Sequence, residues 1–398
     1  MLYTQGKTDC KPSEVGYNEQ RIDALNAHLQ RVIDDGEIQC AAYCISRKGK
    51  IFAHGGVGKK SFRADDNTPV QPDSIRWIAS ITKVFTAVAI MKLVEDGVTR
   101  LDVQVAEILP QFNTPPYNGV TLFQLLTHTS GMHTDENCFD NKYQTSYWRM
   151  IENAYKLCDP DKKNEFDWIA ASLGVIGSGF RVKPDTEWAY CSFGFLILGA
   201  VIEKLTGIHA NKYIEDYIAK PLGMKDTAFN LTPEKAKRTI ITDEEAEIYV
   251  NDIINNTYKP QWIGEVLNLP STGGGLDSTS YDLIRFGNMM LNGGTLEGTR
   301  ILGRKAVEKM TTIAVNYPNY CWGANEKNRY YGVGFDMRNG PPFTFSQGTY
   351  MHEGAGACSL YIDPKEELAA AWIVPYAKEG WFPRALFNVH NIIWSGII

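Results

Sequence analysis

Ser80 and Lys83 are the residues whose types and spacing point most directly to chemistry, and they form the only Ser-x-x-Lys in the sequence. A separation of three residues puts both side chains on one helical face, so the lysine amine can approach the serine hydroxyl. A helix N-terminus and burial both lower the pKa of such a lysine. The pair therefore predicts a nucleophile beside its general base, and the alternative is a solvated pair on a surface helix.

The elements that must position this pair predict an α/β (α+β) protein. The pair falls at the start of an apolar helix that should end at Gly97. Because strand patterns occur near both ends of the chain, we expect the two ends to meet in one antiparallel sheet flanked by helices. The predicted helices are 18–36, 192–205, one capped by Thr279 and one from Pro383, and the predicted strands are 41–46, 51–54, 331–337, 358–362 and 368–374.

This pattern predicts two lobes. Residues 1–77 and 270–398 should form the sheet lobe, and residues 78–269 should form a mainly helical lobe. We expect the active site in the cleft between them. Two polar stretches, Asn137–Phe166 and Asn316–Arg329, are candidate cleft-lining insertions, or surface connections only.

Further sequence blocks resemble those of one superfamily. Leu126–Gly131 reads LTHTSG, Pro221–Thr227 reads PLGMKDT, and Gly273–Leu276 forms a glycine turn. With Ser80, these blocks make the chain similar to the serine β-lactamase and penicillin-binding-protein-like superfamily, in its class C β-lactamase, D,D-peptidase and esterase branch. The resemblance implies a β-lactamase-like fold. We expect His128 to be a hydrogen-bonded structural residue and not a base.

Tyr190 and Ser192 stand where the superfamily has Tyr-x-Asn. The resemblance implies that Tyr190 shares or relays the proton of the nucleophile, the alternative being a buried core tyrosine. Ser192 replaces the usual Asn and so lacks a carboxamide that could bind a substrate amide. Its hydroxyl either takes over part of that binding or caps the following helix.

His352, Glu353 and Gly354 occupy the place of the superfamily's Lys-Thr-Gly. By resemblance, His352 lines the cleft and the small Gly354 lets substrate lie along the strand edge. The backbone N–H groups of Ser80 and Ala355 would then form the oxyanion hole. The alternative for His352 is a strand-end histidine that is satisfied by solvent.

Composition excludes several other classes of function. The 398 residues are 44% hydrophobic, and a net charge of −6 without a block of Lys or Arg disfavours nucleic-acid binding. No apolar stretch reaches the ~20 residues of a membrane span, and the polar segment 1–16 resembles no signal peptide, so a soluble cytoplasmic protein is expected. Seven dispersed histidines and eight cysteines without a CxxC pair predict neither metal nor disulfide framework.

The expected reaction is acyl transfer through an acyl-enzyme, without a cofactor. The substrate should be a small molecule or short peptide, and an esterase or amidase is favoured. A β-lactamase, a D,D-carboxypeptidase or D-aminopeptidase, an acyltransferase, and an inactive binding scaffold of the same fold remain alternatives. The sequence leaves the oligomeric state open.

Overall fold

The structure, a computed structural model, describes residues 2–132, 134–135, 180–258, 271–320, 327–337 and 343–398. The candidate insertion Asn137–Phe166 lies outside these residues. Of the segment Asn316–Arg329, residues 316–318 and 328–329 belong to two short strands that pair with each other, β8 and β9, defined below, and residues 321–326 lie outside the described residues.

The described strands build one main sheet and three small pairs. They are β1 Tyr3–Gln5, β2 Cys40–Arg47, β3 Lys50–Gly58, β4 Arg76–Trp77, β5 Asp277–Ser278, β6 Thr295–Leu296, β7 Thr299–Arg300, β8 Val315–Pro318, β9 Asn328–Tyr331, β10 Tyr350–Glu353, β11 Ser359–Asp363 and β12 Leu368–Ile373. The main sheet has the order β1-β3-β2-β12-β11-β10, and each neighbouring pair is antiparallel. Strands from both ends of the chain therefore lie side by side, as predicted.

Helices cover this sheet on both faces. The α-helices of the described residues are α1 Gln20–Asp34, α2 Thr82–Glu95, α3 Val105–Ile108, α4 Leu122–Leu126, α5 Ser192–Thr206, α6 Ala210–Ile214, α7 Pro233–Ala236, α8 Glu244–Ile254, α9 Ser280–Leu291, α10 Arg304–Met310 and α11 Leu386–Trp394. α1 packs against α11 on one side of the sheet, and α9 packs on β2, β11 and β12 on the other. The predicted α/β class with an antiparallel sheet is confirmed.

β2 explains how one strand serves two cores. All eight of its residues are buried, and successive side chains point to opposite faces. Cys40, Ala42 and Cys44 join the core that contains α2, α5 and α9. Tyr43 and Ile45 join the core that contains α1 and α11. A strand covered on both faces reads as a continuous apolar run, as this one does.

α2 is the helix that carries the predicted nucleophile and base. Its residues from Thr82 to Met91 are all buried, and it packs against α5. A helix that is apolar all round must lie inside the protein, which agrees with the prediction. It ends at Glu95 with Asp96 as its C-cap, and Gly97 follows in the left-handed region with φ of 72°.

One predicted strand was wrong in its bounds. The run 331–337 contains only the last residue of β9, because the chain turns where Gly332 N donates to Phe335 O, and Gly334 has a φ of 85°. After the turn, Asp336 forms an isolated bridge with Met351 of β10. The predicted strand is therefore wrong beyond Tyr331, because the glycines at 332 and 334 break it.

No single helix in the described ranges is both long and apolar enough to cross a bilayer. Ser192–Thr206 and Ala210–Ala219 meet the length and composition only as a pair, and they are bent by 80° relative to each other.

Candidate active site

Ser80 and Lys83 lie where a short turn, Ala79–Ile81, leads into α2. Lys83 Nζ donates to Ser80 Oγ at 3.0 Å and to the Gly273 carbonyl at 2.6 Å. The lysine is completely buried, whereas Ser80 is partly exposed. Burial lowers the Lys83 pKa to about 8, although the negative charge of Asp135 opposes this shift. At pH 7 roughly one tenth of the amine is therefore neutral, and this fraction can accept a proton.

The glycine turn at 273–275 contacts the lysine from a distant part of the chain. Besides the Gly273 carbonyl, Gly274 O accepts from Trp77 Nε1, and Leu276 N donates to Thr82 Oγ1 at 3.1 Å. A Cβ on Gly273 would lie 3.3 Å from the Ser192 carbonyl, so the turn leaves little room for a side chain. This close packing fixes the carbonyl that Lys83 contacts.

Tyr190 lies beside the same pair. Lys83 Nζ is 4.8 Å from the centre of the Tyr190 ring. Burial raises the pKa of the phenol well above its usual value, and a hydrogen bond with the Ser80 side chain works in the opposite direction. Ser80, Lys83 and Tyr190 thus come together, and Tyr190 is protonated at neutral pH.

His128 packs behind Tyr190. It is 1% exposed and has a φ of 57°, in the left-handed region. Its Nδ1 accepts from the Cys191 N–H at 3.1 Å, and its ring centre is 4.4 Å from that of Tyr190. Burial, followed by the charge of Lys83, lowers its pKa well below the usual value. The geometry agrees with the predicted structural role and keeps the ring neutral.

Ser192 is bound to a residue that the sequence did not reveal, Asp135. The Ser192 N–H donates to Asp135 Oδ1 at 2.7 Å, and the Ser192 hydroxyl donates to Oδ2 at 2.5 Å. Helix α5 has Cys191 at its N-cap, so the capping alternative for Ser192 was wrong. The two partners are 57 positions apart, and no local spacing links them. Only the three-dimensional structure could have shown this contact.

His352 lies near the end of β10, with its ring centre 6.3 Å from that of Tyr190. Its Nδ1 is 2.8 Å from the Glu353 carbonyl, and a carbonyl can only accept, so Nδ1 carries the proton. Burial, with a smaller contribution from Lys83, lowers the His352 pKa to about 3. At neutral pH the ring is therefore uncharged and its Nε2 is a hydrogen-bond acceptor.

Gly354 and Ala355 form the turn that follows β10. The Gly354 N–H donates to Cys358 O at 2.8 Å, and a Cβ on Gly354 would lie 2.2 Å from the Ile78 carbonyl. This turn therefore contacts the segment that leads into Ser80. Ala355 is exposed beside it. The two backbone groups predicted to form the oxyanion hole, those of Ser80 and Ala355, belong to neighbouring segments.

The family of the chain follows from comparison with known sequences. The Beta-lactamase family model matches residues 22–384. The chain belongs to the beta-lactamase family. This superfamily consists of serine hydrolases that include esterases and peptidases.

Relatives of this beta-lactamase family member agree with the fold. The protein flp of Staphylococcus aureus strain MW2 is 31% identical over 56% of this chain and 41% of its own length. The chain thus spans about two fifths of such curated relatives. A penicillin-binding protein homologue from Caulobacter crescentus (TM-score 0.72) and a family VIII carboxylesterase (TM-score 0.71) are each 18% identical, covering 96% of this chain and 98% of theirs.

Among the described residues, no group of three or more His, Cys, Asp or Glu side chains is arranged to hold a metal ion. The groups gathered around Ser80 in this beta-lactamase family member are an amine, a phenol, an imidazole and backbone amides. These groups can transfer protons and donate hydrogen bonds to an oxyanion, and acyl transfer requires both abilities.

Proposed function

We propose that this protein is a serine hydrolase that forms an acyl-enzyme at Ser80 on carboxyl ester or amide substrates. The observation that carries the proposal is the 3.0 Å contact between Lys83 Nζ and Ser80 Oγ, in a lysine whose pKa is about 8. A base with a pKa near the working pH is the most effective proton acceptor.

In the proposed reaction, the Ser80 oxygen attacks the substrate carbonyl carbon while its proton passes to the Lys83 amine. The N–H groups of Ser80 and Ala355 bind the oxyanion that develops, each supplying ~2.7–4 kcal/mol. The tetrahedral intermediate then expels an alcohol or amine, which takes its proton by way of Tyr190. Water then attacks the Ser80 ester and gives a proton to the neutral Lys83 amine. Lys83 passes this proton to Ser80 Oγ as the bond between Oγ and the acyl carbon breaks, so the carboxylic acid leaves and both residues return to their starting forms.

A substrate with an uncharged leaving group fits this site better than a substrate with a carboxylate next to the scissile bond. The superfamily's Lys-Thr-Gly lysine would offer a cation, whereas His352 is uncharged because burial lowers its pKa to about 3. Ser192 gives its hydroxyl to Asp135. Both features favour simple esters or amides over β-lactams and D-Ala-D-Ala peptides, and a small molecule or short peptide as substrate.

Covalent labelling tests the proposal. A fluorophosphonate probe should attach to Ser80 of the wild-type protein, as mapped by peptide mass spectrometry, and Ser80→Ala should take up no label. Ser395→Ala is the matched control, because Ser395 is exposed beyond α11, and it should label like wild type. Label on another residue, or none on the wild type, would remove the proposal and leave an inactive scaffold as the better interpretation.

A β-lactamase or D,D-carboxypeptidase is the second candidate, supported by the family match and by the likeness to a penicillin-binding protein homologue. Turnover of p-nitrophenyl butyrate, nitrocefin and a D-Ala-D-Ala peptide separates the two candidates. We expect kcat/KM on the ester to exceed the others. Comparable rates on nitrocefin, or release of D-Ala, would reverse the preference.

A further inference from the structure

The segment Ala189–Ser192 is held in place along its whole length. The Ala189 N–H donates to His128 O at 2.9 Å, and the Cys191 N–H donates to His128 Nδ1 at 3.1 Å. The other two residues of the segment, Tyr190 and Ser192, are bound by Asp135. Its own N–H donates to Tyr190 O at 3.1 Å, and its carboxylate accepts both bonds from Ser192. His128 and Asp135 therefore share the task of fixing the backbone of Tyr190.

Asp135 is also a buried carboxyl group that interacts electrostatically with the proposed base. It is 5% exposed, and two hydrogen bonds from Ser192 favour its ionised form. Burial raises the Asp135 pKa, and the charge of Lys83 and the bonds from Ser192 act against that rise. Conversely, Asp135 favours the ammonium form of Lys83.

The other titratable groups near Lys83 add no permanent charge. Cys191 acts on Lys83 in the same direction as Asp135, but to a smaller extent. His128 and His352 both have a pKa far below neutrality because they are buried. Tyr190 has its pKa raised and stays protonated. Asp135 is therefore the main anion among these groups.

We propose that Asp135 is a positioning residue, which anchors Tyr190 and Ser192 beside the nucleophile and whose carboxylate favours the ammonium form of Lys83. This inference rests on the proposed acyl-enzyme chemistry. One carboxylate would then hold Tyr190 and Ser192 in position and also set the pH at which the Lys83 amine loses its proton.

Two substitutions separate the effect of the Asp135 charge from the effect of its hydrogen bonds with Ser192. In Asp135→Asn, the carboxamide oxygen can accept from Ser192 N and its NH₂ can donate to the Ser192 hydroxyl, so both bonds survive without the charge. Ser192→Ala keeps the charge and removes one bond. The rate of fluorophosphonate labelling at Ser80, measured from pH 6 to 10, reports the neutral fraction of Lys83 in each variant.

In the wild type, the labelling rate should rise with pH through about 8, because the neutral amine of Lys83 is the active form. Without the anion the ammonium form loses its partner and the Lys83 pKa falls. The acid limb of the pH–rate profile, in which the labelling rate rises with pH, should therefore lie roughly one pH unit lower in Asp135→Asn than in the wild type. Ser192→Ala should keep the acid limb of the wild type and lose rate at its plateau.

Asp282→Asn is the matched control, since Asp282 is a buried aspartate of α9 that also accepts a side-chain bond, from Thr227 Oγ1 at 2.9 Å. Its acid limb should stay at the wild-type pH. Asp135→Ala is the second uncharged variant. It should show the same shift together with a plateau lower by on the order of 10²-fold, because Tyr190 loses its anchor. The role of Asp135 is judged from whichever of these two uncharged variants keeps the wild-type circular dichroism spectrum.

The outcomes distinguish this inference from the proposed function. If wild-type Ser80 takes no label, the proposed function fails and the inference falls with it. If wild-type Ser80 is labelled and the acid limb of the folded uncharged variant does not move, only the role of Asp135 is overturned. An equal shift in Ser192→Ala would also overturn it, because that variant retains the carboxylate.

Discussion

Lys83 is the residue at which burial and charge oppose each other most directly. Its side chain is completely buried, so water cannot stabilise the ammonium form, and its pKa falls to about 8. Among its contacts, the Gly273 carbonyl fixes where the nitrogen lies, 3.0 Å from the Ser80 hydroxyl. An amine in this position can take a proton, which an always-charged side chain cannot do.

Lys83→Arg should therefore lower kcat/KM on p-nitrophenyl butyrate by ~10²–10⁴-fold, because a guanidinium does not deprotonate at working pH. Rates between pH 6 and 10 provide the measurement, and the remaining activity should lose the acid limb near pH 8. Lys92→Arg on the same helix is the control, since Lys92 is partly exposed and lies 3.4 Å from Asp96. A Lys83→Arg enzyme with the wild-type profile would exclude lysine as the base.

Residue spacing predicted only the site residues that lie close together in the chain, and the family resemblance supplied Tyr190, His352 and Ala355. Ser80 and Lys83 share one turn of helix, so their spacing alone placed them together. By contrast, Gly273 is 190 positions from Lys83, and Asp135 is 57 positions from Ser192. A polar residue in a polar stretch carries no periodic signal, so Asp135 could not be distinguished from a surface aspartate before the fold was known.

At the scale of elements, the turn after β10 and the turn before α2 are in direct contact. A Cβ on Gly354 would lie 2.2 Å from the backbone carbonyl of Ile78, which no side-chain motion can relieve. The sequence predicted α2 from its apolar run, whereas β10 was not among the predicted strands. It could not predict their separation, because that depends on how β10 pairs with β11 and on where α2 begins.

Gly354→Ala should push the Ala355 N–H away from the oxyanion position and lower kcat/KM on an ester by ~10²–10³-fold. Steady-state kinetics and a thermal melt test this together, since the loss of rate should exceed the loss of stability. Gly119→Ala is the control, because nothing lies within 4 Å of a Cβ there, and it should match wild type in both measurements. A wild-type rate for Gly354→Ala would show that this turn does not position a donor.

At the scale of the whole molecule, the two ends of the chain stabilise each other. β2 from the N-terminal part pairs with β12 from the C-terminal part, and α1 packs on α11. Periodicity predicted this arrangement in outline, but it did not show the polar contact that fastens α11 to the sheet. Asp363, the last residue of β11, is completely buried and accepts from Trp394 Nε1 at 2.8 Å. Its carboxylate also accepts from Ser346 N at 3.0 Å.

Asp363→Ala should destabilise the protein by about 3 kcal/mol, because it removes the acceptor of the buried Trp394 Nε1 and of three partly buried backbone N–H groups, those of Ser346, Lys365 and Glu366, and an unsatisfied buried donor costs ~1–3 kcal/mol. Urea unfolding followed by tryptophan fluorescence measures this change. Asp34→Ala serves as the control, since Asp34 is exposed at the end of α1 and should change stability by less than ~0.5 kcal/mol. Because Asp363 belongs to the core on the α1 and α11 side of the sheet, fluorophosphonate labelling of Ser80 in native buffer should survive the substitution. Loss of labelling without loss of stability would instead connect this end of the sheet to the catalytic cleft.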